Sequence, residues 1–185
     1  EEASYSADGL LQVKAMYKYD ETGKLVEHAS YSASGSLSWK IITRYDVAGN
    51  LVEYARYNAH GSLSRKFISK YDAARHLVET ARYNANGMLE GKTIYKHDAA
   101  GNMIEKETCN SYGLVQENLT AKYDTSGNLL EKATYNANGL LQEKTIAKYD
   151  TFGNMVEKVS YKNESKFGQT ETKRTSLVRN FYEYY

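Results

Sequence analysis

Apolar and polar residues along this chain fall into short runs that restart at a fixed interval. Stretches such as SLSWKIITRY and NLVEYARY are rich in β-branched and aromatic residues and too short for ordinary amphipathic helices, so they predict strands. Between them stand short polar segments built around a glycine, such as YDVAGN, YNAHGS and YNANGM. These segments predict turns. Asp, Asn or Ser at the first turn position bonds the backbone two residues on, and Gly at the fourth takes the left-handed conformation of a G1 bulge.

The interval is 26 residues. Tyr-Asp begins at Tyr19, Tyr45, Tyr71, Tyr123 and Tyr149, with His97-Asp98 in the remaining place. Six repeats cover residues 5–160, and each splits into a 14-residue half such as YNANGLLQEKTIAK and a 12-residue half such as YDTFGNMVEKVS. Each repeat is then one up-and-down pair of strands. The expected fold is all-β: an antiparallel meander of six 26-residue hairpin repeats, forming an elongated, twisted, single-layer or gently rolled sheet. Residues 1–4 are expected to be the remnant of a preceding half-repeat, because EEASY aligns with EHASY at 27–31, as in a chain cut from a longer array. Residues 161–185 read as a degenerate repeat closed by a capping strand, LVRNFYEYY, since a sheet end needs its edge protected.

Counting outward from the turns assigns side chains to faces. With Asp46 opposite Asn50, Tyr45 faces Leu51, Thr43 faces Glu53 and Ile41 faces Ala55. One face then carries Tyr-Leu pairs near both edges, with Ala and the column Glu27, Glu53, Glu79, Glu105, Glu131 and Glu157 between them. The other carries an aliphatic stripe (Val52, Ile68, Val78, Ile94, Leu130, Ile146). Two basic columns flank it, one through Lys14, Lys40, Lys66, Lys92 and Lys144, the other through Lys18, Arg44, Lys70, Lys96, Lys122 and Lys148. This count predicts a basic face and an acidic face.

Composition narrows the classes. The chain has 185 residues, no Pro, 18 Tyr, one Cys and a net charge of +1. A proline-free chain is neither collagenous nor a Pro-rich linker, and the longest apolar runs are far short of the roughly 18 residues that span a bilayer. A single Cys supplies neither an internal disulfide nor a Cys-based zinc site. Near-zero net charge removes a strong bulk field for nucleic acid.

The recurrent Y-D-x-x-G-[NK]-[LM]-[VIL] motif, clearest in YDETGKLV, YDVAGNLV, YDTSGNLL and YDTFGNMV, resembles the YD repeat of bacterial Rhs-type proteins and teneurins. A weaker likeness runs to MORN-type hairpin repeats and to aromatic-Gly cell-wall-binding repeats. The YD resemblance implies a β-hairpin array in a bacterial exported or cell-surface protein, whose large members wind a shell around a cargo. This chain departs from them by its strict period and small size.

Candidate chemistry is sparse. The column Asp20, Asp46, Asp72, Asp98, Asp124 and Asp150 repeats every two strands, roughly 10 Å apart, whereas calcium ligands converge within about 2.3 to 2.6 Å of one ion. Turn capping explains it better. The Glu column has the same spacing and no pocket that would raise a carboxyl pKa, so a solvated face or Lys partners are expected. His28, His60, His76 and His97 do not converge, and Cys109, in a slot otherwise held by Tyr, reads as a packed thiol. Arg75 fills a turn glycine's slot, which requires either another geometry or strain. No catalytic residue, metal site or cofactor is expected.

The candidate ligand surface is the tyrosine ladder, Tyr19, Tyr45, Tyr57, Tyr71, Tyr83, Tyr123, Tyr135 and Tyr149, whose flat rings and hydroxyls suit protein or glycan contacts. Packing of each ring on the Leu across its hairpin ranks above that use. The expected function is a non-enzymatic repeat module of an exported or surface protein, serving as scaffold, spacer or protein-binding surface. The alternative is a glycan- or cell-wall-binding module. Nucleic acid ranks low as a partner, and oligomeric state is left open.

Overall fold

The computed structural model describes residues 2–166 and 169–182. The chain divides into two compact units, Glu1–Lys92 and Thr93–Tyr185. The first unit holds β1 (Glu2–Tyr5), β2 (Leu11–Tyr19), β3 (Leu25–Ser32), β4 (Leu37–Tyr45), β5 (Leu51–Tyr57), β6 (Leu63–Tyr71), β7 (Leu77–Tyr83) and the start of β8 (Leu89–His97). The second holds the rest of β8, then β9 (Met103–Asn110), β10 (Val115–Tyr123), β11 (Leu129–Asn136), β12 (Leu141–Tyr149), β13 (Met155–Lys166) and β14 (Gln169–Arg179). Strand order is sequence order from β1 to β14 in one open antiparallel sheet, the expected all-β repeat meander. Of the expected closing strand, Leu177–Arg179 ends β14 and residues 183–185 lie outside the described residues.

The turns form as the sequence predicts. At the β4–β5 turn the Asp46 N–H donates to Asn50 O at 3.0 Å and the Gly49 N–H to Asp46 O at 2.9 Å. Gly49 has a φ of 89°. Arg75 adopts the same geometry rather than another one, with a φ of 68° and its N–H donating to Asp72 O.

The register differs from simple counting. Tyr45 pairs with Leu51 as expected, but the next pairs are Arg44 with Glu53, Thr43 with Tyr54 and Ile42 with Ala55. Leu51 and Val52 together oppose Tyr45, so a second bulge follows the turn bulge. The same slip recurs at β5–β6, where Tyr57 pairs with Leu63 and Arg56 with Arg65. Because the side-chain period is two, a one-residue slip moves every side chain beyond it to the other face.

The faces are therefore reassigned. One face carries Lys40, Ile42 and Arg44 on β4 beside Glu53, Ala55 and Tyr57 on β5, then Lys66, Ile68 and Lys70 on β6 beside Glu79, Ala81 and Tyr83 on β7. Both basic columns, with Ile42 and Ile68, thus share a face with the Glu and Ala columns. The expected basic and acidic faces do not exist, and Tyr45 stands in alternation with Thr43 and Ile41, on the face opposite Tyr57.

Burial is shallow and repetitive. The buried apolar residues are Ala29, Ala55 and Ala81 in the first unit, and Cys109, Leu119, Ala121, Ala133 and Ala147 in the second. No large side chain among the described residues is fully buried. Each alanine sits under longer neighbours: Ala55, 1% exposed, pairs with Ile42 on one side and Lys66 on the other. Small residues at the centre let the Ile side chains and Lys stems close over the backbone, so stability accrues repeat by repeat.

Candidate binding surface

The turns use their acidic residues internally. Asp20 Oδ1 accepts from the N–H groups of Thr22 and Lys24 at 2.8 and 3.0 Å. Asp46 Oδ1 accepts from the Asn50 N–H at 2.8 Å, and its other oxygen takes the Asn50 amide at 2.9 Å. The Asn contact recurs at Asp98 and Asp124. At Asp72, whose turn lacks that Asn, His76 Nδ1 stands 3.1 Å from Oδ2. The Asn side chains foremost hold the carboxyls of Asp46, Asp98 and Asp124 below the ordinary carboxylate value, while the Thr22 hydroxyl does so at Asp20 and the His76 backbone amide at Asp72. Among the described residues, no three His, Cys, Asp or Glu side chains come together in a group able to hold a metal ion.

The charged columns neutralise each other across the hairpins. Lys18 meets Glu27 at 3.0 Å, Arg44 meets Glu53 at 3.8 Å and Lys70 meets Glu79 at 2.9 Å in the first unit. In the second, Lys96 meets Glu105 at 2.7 Å, Lys122 meets Glu131 at 3.4 Å and Lys148 meets Glu157 at 2.8 Å. Glu131 also takes Lys144 at 2.9 Å. These ammonium groups hold Glu79, Glu105, Glu131 and Glu157 below the ordinary glutamate value, with Lys70, Lys96, Lys144 and Lys148 the foremost causes.

The eight candidate tyrosines divide into two rows. In one, the hydroxyls of Tyr45, Tyr71, Tyr123 and Tyr149 donate to the carbonyls of Leu25, Leu51, Met103 and Leu129 at 3.1 to 3.2 Å. Each bond runs 20 residues back, into the preceding repeat. Thr43 donates to the same Leu25 carbonyl as Tyr45. The β3–β4 pairing stops at Glu27 and Ile42, so side-chain hydroxyls take over where the ladder opens. Tyr19, the first of this row, is 61% exposed.

In the second row, Tyr57 and Tyr83 lie on the face of the Glu and Ala columns. The Lys40 and Lys66 ammonium groups stand 5.5 and 4.9 Å from their ring centroids. Tyr135 holds the equivalent place in the second unit, opposite Asn118. Seven of the eight candidates are half-buried, and their exposed surface is divided between the two faces.

Comparing equivalent slots separates a constant face from a variable one. The slot of Glu53 is Glu in all six repeats, the slot of Ala55 is Ala in four, and the slot of Arg44 is basic in all six. On the opposite face, the slot of Trp39 holds Val13, Trp39, Arg65, Gly91, Glu117 and Glu143, and that of Tyr54 holds His28, Tyr54, Thr80, Lys106, Lys132 and Lys158. Counting without the second bulge interleaves the two sets. Variation within a fixed slot is the sequence signal that separates them.

Among known proteins, residues 12–33 and 116–137 match a family model described as a MORN repeat variant. The two matches lie in the same repeat phase and cover β2–β3 and β10–β11. No curated protein matches the chain. Of solved structures, TcdB2-TccC3-Cdc42 is similar at 15% identity over 87% of this chain and 10% of that one, with a TM-score of 0.43. A porin-like protein from Bacteroides uniformis is similar at 11% identity over 93% of this chain and 92% of that one, with a TM-score of 0.36. The chain thus spans about a tenth of the length of the first, and both TM-scores are too low for the likeness to carry weight. The fold and the MORN matches place the chain among β-hairpin repeat proteins.

Proposed function

We propose that this chain is a non-enzymatic module of the YD-repeat kind, Rhs- and teneurin-like, from a bacterial exported or cell-surface protein, serving as a scaffold or spacer that presents a protein-binding surface. One observation carries this reading. The recurrent residues are used between and within repeats: the Tyr hydroxyl bonds a carbonyl one repeat back in four of the six repeats, the basic residue pairs with Glu across its hairpin, and the Asp caps its turn. Recurrence devoted to stacking leaves recognition to the slots that vary. Export and bacterial origin rest on the Tyr-Asp-x-x-Gly motif alone.

Two experiments test the proposal. Intact cells producing the parent protein are treated with a membrane-impermeant amine label, which should reach these lysines before lysis; protection until lysis contradicts export. A glycan array probes the competing reading. A signal abolished by Tyr45→Ala, Tyr71→Ala and Tyr123→Ala together would replace the scaffold reading with a glycan-binding one.

A further inference from the structure

The variable face of the first unit gathers a cluster of aromatic and guanidinium groups. Tyr17 and His28 stack with centroids 4.5 Å apart, and His28 meets Trp39 edge-on at 4.7 Å. The Arg56 guanidinium lies 5.6 Å from the Trp39 ring centroid. Next to it, Tyr54 and Phe67 stand 6.1 Å apart, tilted by 58°. Leu51, Tyr54, Arg56, Arg65, Phe67 and Ser69 line an open depression of about 400 Å³.

A second observation is independent of the rings. Arg56 and Arg65 are directly paired across β5 and β6. Like charges directly opposite one another are destabilising. On the constant face each hairpin's outer basic residue meets a Glu across the strand pair, and on the variable face Arg82 meets Glu90 at 3.0 Å. Arg56 and Arg65 have no carboxylate within ion-pair distance among the described residues. Two guanidiniums from directly opposed strand positions, one of them over a tryptophan ring and neither with a carboxylate partner among the described residues, are donors suited to a planar anion.

We propose that this patch, centred on Trp39, Arg56 and Arg65 with Tyr54 and Phe67 beside them, docks an acidic polypeptide segment. A partner carboxylate sits between the two guanidiniums and a neighbouring aromatic or apolar side chain enters the depression. This rests on the scaffold reading and names the surface and the partner's chemistry. Charge complementarity selects the occupant, and Trp, Tyr and Arg are the residues that dominate protein–protein contacts. A glycan needs open, flat ring faces, but the Arg56 guanidinium lies over Trp39, His28 makes a T-shaped contact with it, and Tyr54 and Phe67 are not coplanar. A nucleic acid strand needs a track of cations along its phosphates. On this face of the first unit the strand cations without a carboxylate partner among the described residues are Arg56 and Arg65, a pair rather than a track.

The patch contains the chain's single Trp, which reports on it directly. The full chain is titrated with a random glutamate–tyrosine copolymer, following Trp39 emission and the anisotropy of labelled copolymer. Saturable binding with a change in Trp39 emission is expected. Arg56→Gln/Arg65→Gln should weaken it by about tenfold or more, with the β-sheet circular dichroism retained because opposed charges have been removed. Arg56→Lys/Arg65→Lys keeps the charge, loses the planar guanidiniums and should fall between. Lys40→Gln/Lys66→Gln, on the constant face, should bind as the parent does. Absence of binding, equal affinity in the Arg56→Gln/Arg65→Gln variant, or equal loss in the Lys40→Gln/Lys66→Gln variant overturns the proposal. So does tighter binding of oligouridylate or of a cello-oligosaccharide in the same titration. Failure here removes the docking site and leaves the scaffold reading to the surface-labelling experiment, which does not depend on it.

Discussion

Replacing Gly127 with Ala isolates what the turns demand of their fourth residue. Gly127 has a φ of 84°, and a Cβ built there would meet nothing closer than Asn102 Oδ1 at 3.9 Å. Space is therefore free and the cost is conformational. A left-handed backbone costs a residue with a Cβ roughly 1 to 2 kcal/mol, and the reduced freedom of the unfolded chain returns about 0.4 to 1 kcal/mol. Gly127→Ala should thus destabilise by about 1 kcal/mol. Arg75 occupies the same slot at a φ of 68°, so Arg75→Gly should act in the opposite direction by a similar amount. Urea denaturation followed by circular dichroism gives both signs, with exchange of the amides flanking each turn as a local check, since repeat arrays need not unfold in one step. A loss of stability in both variants would refute the reasoning, because it would mean that side-chain contacts rather than φ govern the slot.

Other consequences follow from the same geometry. Tyr71→Phe removes a hydroxyl that donates to Leu51 O at 3.1 Å and should cost on the order of 1 kcal/mol in urea denaturation, whereas Tyr19→Phe, at an exposed ring, should be near neutral; equal effects would contradict the inter-repeat role. Glu131→Lys should lower the urea midpoint by placing like charges opposite Lys122, and adding Lys122→Glu should recover part of the loss; a double variant no better than the single one would refute the pairing. Asp20, Asp46, Asp72, Asp98 and Asp124 in the turns and Glu79, Glu105, Glu131 and Glu157 in the column have folded pKa values below their unfolded ones, so their stabilisation is complete above the unfolded values near pH 4 and is lost as pH falls through the folded ones. Lys70 and Lys96, raised by Glu79 and Glu105, act in reverse: their contribution is complete below the unfolded Lys value near pH 10.4 and is lost as pH rises beyond it. The urea midpoint should therefore fall at both extremes, and a midpoint unchanged between pH 7 and pH 3 would contradict the turn and column assignments.

The repeat, its strands and its turns were legible because each is written locally. Tyr-Asp-x-x-Gly specifies a turn wherever it occurs, and even Arg75 conforms once its neighbours have set the backbone. The faces were not legible, because they depend on a bulge with no residue signature of its own. Leu51-Val52 opposes Tyr45 alone, yet nothing in NLVEYARY distinguishes that dipeptide from an ordinary strand start. One slipped residue turned an ion-pair face into a supposed basic face opposite an acidic one. It also hid the difference between Tyr45, which reaches back to Leu25, and Tyr57, which lies beneath Lys40. The aromatic and arginine patch was hidden for the same reason: Trp39, Arg56 and Phe67 come together only after the slip is counted.

The double-bulge register is the central claim, since the paired columns, the divided tyrosine rows and the variable face all depend on it. Disulfide trapping tests it most directly, because directly opposite residues lie about 4.5 to 5.5 Å apart at Cα, within disulfide reach, whereas side chains on opposite faces point apart. In a background with Cys109→Ser, Arg44→Cys/Glu53→Cys should cross-link on mild oxidation and Thr43→Cys/Glu53→Cys should stay reduced. Cross-linking of the Thr43 pair in place of the Arg44 pair would contradict the register and every face built on it.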